Sequence, residues 1–335
     1  MTHALVTGAT GFIGHHLVQR LTASGTAVTC LVRETSQCSR LRELDVRLVH
    51  GDVSDLNSLE DAIRGVDVVY HLAGLTKSFG VHALMEINAQ GAKNISRVCA
   101  RQASPPTLVL VSSLAAAGPS GKEKPRTERD EVQPVSNYGR SKRAGELAAI
   151  EYASRVPTTI IRPPVVLGEY DRDGLQWFQM IRTLGFHLIP GFVDHRYSMI
   201  HADDLAVALI LAADKGRRLT GNVDDDAGIY FATCDEVVTF EDLGRMIGSC
   251  VGRPAAWMVR APMLAIWGLA GCSDVWARIC NKPCVLNFDK AKEAAAGSWA
   301  CSAAKLQRDT GYRPVRSLSE RLRQTADWYL EEGWL

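Results

Sequence analysis

Thr7-Gly8-Ala9-Thr10-Gly11-Phe12-Ile13-Gly14 follows directly on the apolar run Ala4-Leu5-Val6. A short unbroken apolar run suits a strand of a buried parallel sheet. An amphipathic helical pattern then begins at Phe12 and continues through Ile13, Leu17 and Leu21. Strand, glycine turn and helix together are the context in which a glycine motif signifies a dinucleotide site. Each glycine has its own task there. One makes the tight turn, one lets backbone approach a pyrophosphate, and one lets the helix pack close to the strand with its N-terminus toward the phosphates. The alternative is an ordinary strand-to-helix turn. The spacing of Gly8, Gly11 and Gly14 is G-x-x-G-x-x-G, not the commoner G-x-G-x-x-G.

The chain has 335 residues, room for one large domain or two of ordinary size. Hydrophobic residues make up 46% and charged residues 22%, so a substantial core is expected and disorder is not. The 38 basic and 37 acidic side chains leave a net charge of +1, which gives no case for a nucleic-acid partner or for electrostatic docking on an anionic membrane. Nine cysteines without a C-x-x-C pair read as reduced thiols, and with them a cytoplasmic location. The N-terminus enters a strand after three residues, so no signal peptide is expected.

Outward from the glycine turn, strands and helices alternate. Ala27 to Val32 reads as a second strand, Val46 to Val49 as a third, Val66 to Leu72 as a fourth, Leu108 to Val111 as a fifth and Thr158 to Ile161 as a sixth. Between them lie helical patterns through Leu56, Leu59 and Ile63, from Leu84 to Arg101, and from Tyr138 to about Ser154, the last preceded by a polar loop at Pro119–Pro134. This alternation predicts an α/β fold, a Rossmann-type doubly wound parallel sheet with its ligand outside the carboxyl ends of the strands. Residues 1–165 form the expected nucleotide-binding domain. Residues 166–335, irregular, Gly-rich and mostly helical, form a smaller substrate domain, with segments returning to the Rossmann core. The Asp224-Asp225-Asp226 run reads as a solvated loop rather than a metal site.

Several residues carry chemistry. Asp52, with Val53 beside it, follows the third strand and is placed to hydrogen-bond an adenine amino group. Leu72-Ala73-Gly74, after His71, would lie along the nucleotide. Val111-Ser112-Ser113 ends the fifth strand, and Tyr138 and Lys142 sit four apart, on one helix face. A nearby ammonium lowers a phenol's pKa, which brings tyrosine toward proton exchange with an alcohol or ketone. Ser113 would hold the same oxygen. Y-x-x-x-K alone is weak; about 25 residues after a Ser-Ser strand end in a Rossmann-like half it becomes strong.

The chain resembles the extended short-chain dehydrogenase/reductase family, also called the NAD-dependent epimerase/dehydratase family. The resemblance rests on TGATGFIG, GDVSD, HLAG, EINAQGAKN with Asn88, VSSLAAAG, YGRSK, IRPPVVLG and IHADDLA, spanning residue 2 to about 207. It implies that Tyr138 is the catalytic acid/base, that Lys142 binds the nicotinamide ribose and lowers the tyrosine pKa, and that Ser113 polarises the substrate oxygen during hydride transfer. It also implies cofactor contacts from Gly8, Gly11, Phe12, Ile13, Gly14, Asn88 and Pro163, a role for Lys77 near the cofactor, and a homodimer through helices of the Rossmann half.

The cofactor's phosphate pattern is read at the end of the second strand, Leu31-Val32-Arg33-Glu34. NAD-using sugar epimerases of the family carry Asp at the position of Val32. Arg33 can meet a 2′-phosphate with charge-assisted bonds, so NADP is favoured over NAD; the alternative has Glu34 on the ribose and Arg33 in solvent. Arg162-Pro163-Pro164-Val165 and the stretch His195 to Ala206 resemble the branch of 3-beta-hydroxysteroid dehydrogenases and dihydroflavonol reductases. Leu114-Ala115-Ala116-Ala117 after Ser113 lacks the carboxylates that dehydratases add. The expected reaction is ketone and secondary-alcohol interconversion on a fairly apolar small-molecule substrate. A nucleotide-sugar 4-epimerase or dehydratase with tightly bound NAD is the alternative enzyme, and a catalytically silent scaffold the alternative of another class. The apolar segment 255–271 is too interrupted to span a membrane and reads as a buried helix in preference to a substrate lid or interfacial patch. Trp177, Phe178 and Met180 are candidates for the substrate pocket. His15 and His16 are expected on a helix with one solvent face, without a Cys or Asp at ligand spacing, and no metal is assigned.

Overall fold

Leu5 and Val6 are fully buried, on opposite faces of a strand at the centre of a parallel sheet. The computed structural model describes residues 2–121, 124–280, 284 and 286–335; residues 122 and 123 of the polar loop lie outside it. The strands in chain order are β1 (His3–Thr7), β2 (Ala27–Val32), β3 (Arg47–His50), β4 (Val68–His71), β5 (Thr107–Val111), β6 (Thr158–Arg162), β7 (Val165–Leu167), β8 (Phe186–Pro190), β9 (Arg196–His201), β10 (Ile229–Phe231), β11 (Val237–Thr239) and β12 (Trp257–Ala261). Seven of them make the main sheet in the order β10-β6-β5-β4-β1-β2-β3. Every pairing in it is parallel.

The chain winds outward one way from β1 through β2 to β3, then returns to pair β4 with β1 and winds the other way. The strand ends of β1 and β4 therefore flank the crevice where a doubly wound sheet takes its ligand. Alternation along β1 supplies both layers. Ala4 and Val6 pack with Leu17, Val18, Leu205 and Leu209 on one face, and Leu5 with Leu59, Ile63, Ile95 and Val98 on the other.

The second half of the chain is mostly helical, as expected, with short strands that its pattern did not announce. It holds six strands of three to six residues, and one of them, β10, closes the main sheet beside β6. The helix Ala202–Lys215 packs on the same sheet through Leu205, Leu209 and Ala212. Strands of three residues are shorter than an alternation pattern can register. A further core forms from Phe178, Ile181, Met199, Leu243, Ile247, Leu322 and Tyr329.

Two helices also differ from expectation. The stretch from Leu84 to Arg101 is not one α-helix: Val81–Leu84 leads into a π-helical turn, Met85–Gln90, and only then into Gly91–Arg101. The wider turn brings Asn88 to 2% exposure. The segment 255–271 is not a buried helix. It divides into β12 and the helix Met263–Ile279, whose exposed positions include Leu264 at 84%, Trp276 at 64% and Ile279 at 71%. The helix is apolar around most of its girth, and among the described residues its stripe through Ile266 and Ala270 packs with Ala291, Leu188 and Leu286. Among the described residues no helix is long and apolar enough to cross a membrane.

Candidate active site

The glycine turn is fixed by crowding. Gly8 has φ +74°, and a Cβ there would lie 2.7 Å from the Ala73 backbone nitrogen after β4. A Cβ on Gly14 would overlap the Gly8 carbonyl and stand 2.8 Å from Ala9 Cα, so only glycine lets the helix Phe12–Ala23 sit this close to the turn. Gly11 is the N-cap, its own N–H donating to Gly8 O at 3.0 Å. No side chain caps this helix end. The first-turn amides, those of Phe12 and Ile13 among them, therefore present the positive end of the helix dipole to an anion. The residues present thus fit a dinucleotide pyrophosphate.

The end of β4 is held against this turn. Leu72 N–H donates to Thr7 O at 3.1 Å and Ala73 N–H to Thr7 Oγ1 at 3.2 Å. With its oxygen accepting from Ala73, the Thr7 hydroxyl has its own proton for His71 Nδ1, 2.9 Å away. Burial, reinforced by the Lys142 charge, lowers His71 to about 3, so the ring is neutral. Gly74 faces Asn88, whose Oδ1 would lie 2.9 Å from a Cβ at that position. Asn88 is fully engaged: Oδ1 accepts Leu75 N–H at 2.8 Å, and Nδ2 donates to Leu75 O and to Ser141 Oγ at 2.9 Å each.

At the adenosine end, β2 stops at buried Val32, and exposed Arg33 follows. Arg33 stands close enough to Asp52 to matter to its charge. Burial works against the Asp52 carboxylate, yet the Ser54 amide and hydroxyl (2.8 and 2.7 Å) and the Arg33 guanidinium hold it below the usual range. Glu34 is turned to His50, 3.4 Å away. Val53 is buried, with its carbonyl accepting from Asn94 at 2.9 Å.

At the other end, Ser113, Tyr138 and Lys142 converge past β5. Ser113 caps the short helix Leu114–Ala117, accepting Ala115 N–H at 3.1 Å, and Tyr138 packs against Leu114 and Ala115 of that helix, near enough for the Ser113 hydroxyl to pull its phenol down. Pro163 O accepts Leu114 N–H at 2.8 Å, which ties the turn after β6 to the turn after β5. Tyr138 and Lys142 lie on one helix, Asn137–Ile150. Their relation differs from the expected one, however. The buried Lys142 ammonium donates to Val111 O at 2.7 Å, and the cation facing the phenol is Lys290, 5.6 Å from the ring centroid. Burial raises the phenol, against the pull of Ser113 and Lys290. Lys142 itself is lowered to about 8 by burial, with Glu146 opposing.

Sequence reasoning missed the charged pair beneath this helix. Glu146 accepts from Arg162 Nε and Nη2 at 2.7 Å each and from the Ser112 hydroxyl at 2.6 Å, all fully buried. Its one signal was spacing, since Glu146 follows Lys142 by one helical turn. The helix Phe288–Ala295, with Asp289, Lys290 and Glu293, was also missed, because nothing in its sequence points to Tyr138.

Other candidates lie elsewhere. Lys77 is paired with Asp173 at 2.7 Å. Phe178 is in the core against Tyr329, and Trp177 packs edge-on to Phe240. His15 and His16 are both buried, contrary to a solvent-facing placement, and His16 Nδ1 meets Asp203 Oδ1 at 2.8 Å, a partner 187 residues away. Asp226 of the acidic run meets Lys305 at 3.1 Å.

A doubly wound sheet with this glycine turn defines a dinucleotide-binding α/β enzyme fold. The profile of the NAD dependent epimerase/dehydratase family matches residues 4–223, and the chain belongs to that family of oxidoreductases, in its extended short-chain dehydrogenase/reductase form. It is 30% identical to the ceramide reductase of Caulobacter vibrioides over 98% of this chain and 95% of that one. It is 28% identical to human 3 beta-hydroxysteroid dehydrogenase type 7 over 97% and 94%. The fold is also that of the dTDP-glucose 4,6-dehydratase of Streptomyces venezuelae solved with NAD, with TM-score 0.78 and 22% identity over 99% and 98%.

Proposed function

We propose that the chain interconverts a ketone and a secondary alcohol on an apolar, lipid-like substrate, with Ser113, Tyr138 and Lys142 as its catalytic residues and NADP preferred over NAD. The observation that carries this reading is the gathering of all three at the end of β5, where Tyr138 packs on the turn that Ser113 caps and Lys142 donates to Val111 O. A bound dinucleotide would supply or take the hydride at its nicotinamide. In reduction the carbonyl carbon gains that hydride and the carbonyl oxygen gains a proton from Tyr138 Oη, while Ser113 holds the oxygen in line. The tyrosinate left behind is reprotonated by way of Lys142, which burial has brought to about 8, near the working range of a proton relay. Gly8, Gly11, Phe12, Ile13 and Gly14 would hold the pyrophosphate. Asp52, Val53, Leu72, Ala73 and Gly74 would line the adenosine and ribose side, and Asn88 and Pro163 the nicotinamide side. Arg33 would take the 2′-phosphate.

An apolar substrate is supported by the two relatives named ceramide reductase and 3 beta-hydroxysteroid dehydrogenase, and by Leu114-Ala115 standing where dehydratases carry carboxylates. The exposed apolar helix Met263–Ile279 packs through Ala270 on the helix that meets Tyr138. A homodimer is supported by exposed Met85 and Leu147, which face outward from the two neighbouring helical segments Met85–Gln90 and Asn137–Ile150. The buried thiols Cys30 and Cys99, held protonated by burial, suit the cytoplasm. The test is a turnover screen of long-chain 3-oxo lipids and 3-oxosteroids against UDP-glucose, each with NADPH or NADP and with NADH or NAD. Ketone reduction with NADPH that disappears in Tyr138→Phe is expected. Epimerisation of UDP-glucose with NAD and no ketone turnover would overturn the reading, and no turnover with tight dinucleotide binding would identify a scaffold.

A further inference from the structure

The helix Phe288–Ala295 lies some 150 residues from the catalytic helix in sequence, yet its polar face closes on that helix's first turn. Asp289 accepts Asn137 N–H through Oδ1 and Tyr138 N–H through Oδ2, both at 2.9 Å. Ser136, the N-cap, accepts Gly139 N–H at 2.9 Å and donates its own proton to Glu293 Oε1 at 2.6 Å. The other Glu293 oxygen accepts from Lys290 Nζ at 2.7 Å. All three first-turn amides of the Tyr138 helix are thus satisfied, two of them by a carboxylate placed at the positive end of the helix dipole.

Capping alone accounts for Asp289 and Ser136. It does not account for Lys290, whose ammonium is steered over the Tyr138 ring, 5.6 Å from its centroid, by a carboxylate one helical turn away. Lys142 is meanwhile occupied at Val111 O. The charged and titratable groups around the phenol are few. Lys290 and Glu293 come from this helix, Ser113 from the end of β5, and Lys142 stands one turn along the phenol's own helix. In the surrounding apolar cluster, Tyr197 is pushed up to about 12 by burial and Cys301 is pushed up further, so both stay neutral.

We propose that Lys290 is a positioning residue of the reaction centre: held by Glu293, on a helix that Asp289 pins to the Tyr138 N-terminus, it stabilises the phenolate of Tyr138 as the proton passes between Oη and the substrate oxygen. This rests on the reading of Tyr138 as the acid/base. The C-terminal half then supplies a cation to the tyrosine of the nucleotide-binding half. In the reduction direction the step balances as before: Oη loses one proton, the substrate oxygen gains it, and the new negative charge lies between Lys290 and Ser113.

Titration of the full chain labelled with 13Cζ-tyrosine tests this, the Tyr138 resonance being the one lost in Tyr138→Phe. At an effective dielectric between surface and bulk values, one charge at this range moves a phenol by about half to two pH units. Lys290→Met is expected to raise the Tyr138 midpoint by that amount, Lys290→Arg to leave it at the wild-type value, and Glu293→Gln, which frees the ammonium from its counter-charge, to lower it. The lowering by Glu293→Gln remains readable where the wild-type midpoint lies too high to reach. An unchanged midpoint in Lys290→Met, or an unlowered one in Glu293→Gln, overturns the inference. Ketone turnover that survives in Tyr138→Phe overturns the catalytic assignment instead, and leaves the Lys290–phenol coupling to stand on its own titration.

Discussion

Glu146 grips Arg162 with both carboxylate oxygens, Oε1 on Nε and Oε2 on Nη2 at 2.7 Å each, directly beneath the turn that carries Lys142. Neither side chain reaches solvent. The pair joins the helix Asn137–Ile150 to the end of β6, and Ser112 joins it to the end of β5 through the same carboxylate. Burying two charges is expensive in itself, but removing one partner is worse, because the other stays buried and uncompensated.

Glu146→Gln is therefore expected to destabilise the chain by about 3–5 kcal/mol. Urea denaturation reads it as a lower midpoint at unchanged slope. The same substitution removes the carboxylate that supports the Lys142 charge, so Lys142 should titrate below its present value of about 8. Glu146→Met paired with Arg162→Met should recover much of the lost stability. A double variant no more stable than Glu146→Gln would show that the pair contributes beyond charge compensation.

Gly14→Ala tests the close approach of the first helix to the glycine turn. The added methyl meets the Gly8 carbonyl and Ala9 Cα, both backbone, which cannot rotate away. The helix must shift, and with it the amides of Phe12 and Ile13. Loss of at least about tenfold in dinucleotide affinity is expected, since a few tenths of an ångström at several charge-assisted bonds exceeds the roughly 1.4 kcal/mol that tenfold represents. Fluorescence titration with NADPH measures it. Gly25, with nothing within 4 Å of a Cβ, is the control for a glycine of purely conformational need.

Arg33→Ser should weaken NADPH binding and leave NADH nearly unchanged, by about 1.5–3 kcal/mol for a hydrogen bond to a charged partner. Arg33 has no buried role to lose, since its side chain is exposed. Equal losses for the two cofactors would place Arg33 away from the 2′-position and return the ribose to Glu34.

Acid stability follows from three buried histidines. Burial lowers His15 and His187 to about 4 and His71 to about 3, so each is neutral in the folded chain at pH values where the unfolded chain takes up a proton. Stability is therefore full above the unfolded value of 6.5 and falls as pH drops from there toward 4 and 3. Glu169 adds to the loss at lower pH. Burial opposes its charge, but His201 holds it down at about 2, so its contribution is present above 4.5 and fades toward 2. Melting temperature followed from neutral pH to about pH 4 should decline steadily, and His71→Gln should make the decline shallower.

The legible part of the fold was the part written in local pattern. Ala4-Leu5-Val6, three glycines and the helix at Phe12 announce β1, the turn and the helix, because each is a local steric or periodic requirement. Tyr138 and Lys142 were legible for the same reason, being one helical turn apart. β10 was not, since three residues carry too little alternation and its place beside β6 is a long-range choice. The segment 255–271 misled because apolar composition reports what a helix prefers to bury, not whether the fold offers a partner. Among the described residues Ala291, Leu188 and Leu286 offer one to Ile266 and Ala270, and Leu264, Trp276 and Ile279 are left outside.

By itself the sequence determined the glycine cradle, the doubly wound alternation and the spacing of Tyr138 and Lys142, all properties of residues within a few positions of one another. The tertiary structure alone decided which charges meet. His16 found Asp203, Glu146 found Arg162, and Tyr138 came to face Lys290 rather than Lys142. Such pairings depend on how separate elements cross in space. The electrostatics of a buried group are set by those crossings and by burial, neither of which a linear spacing records.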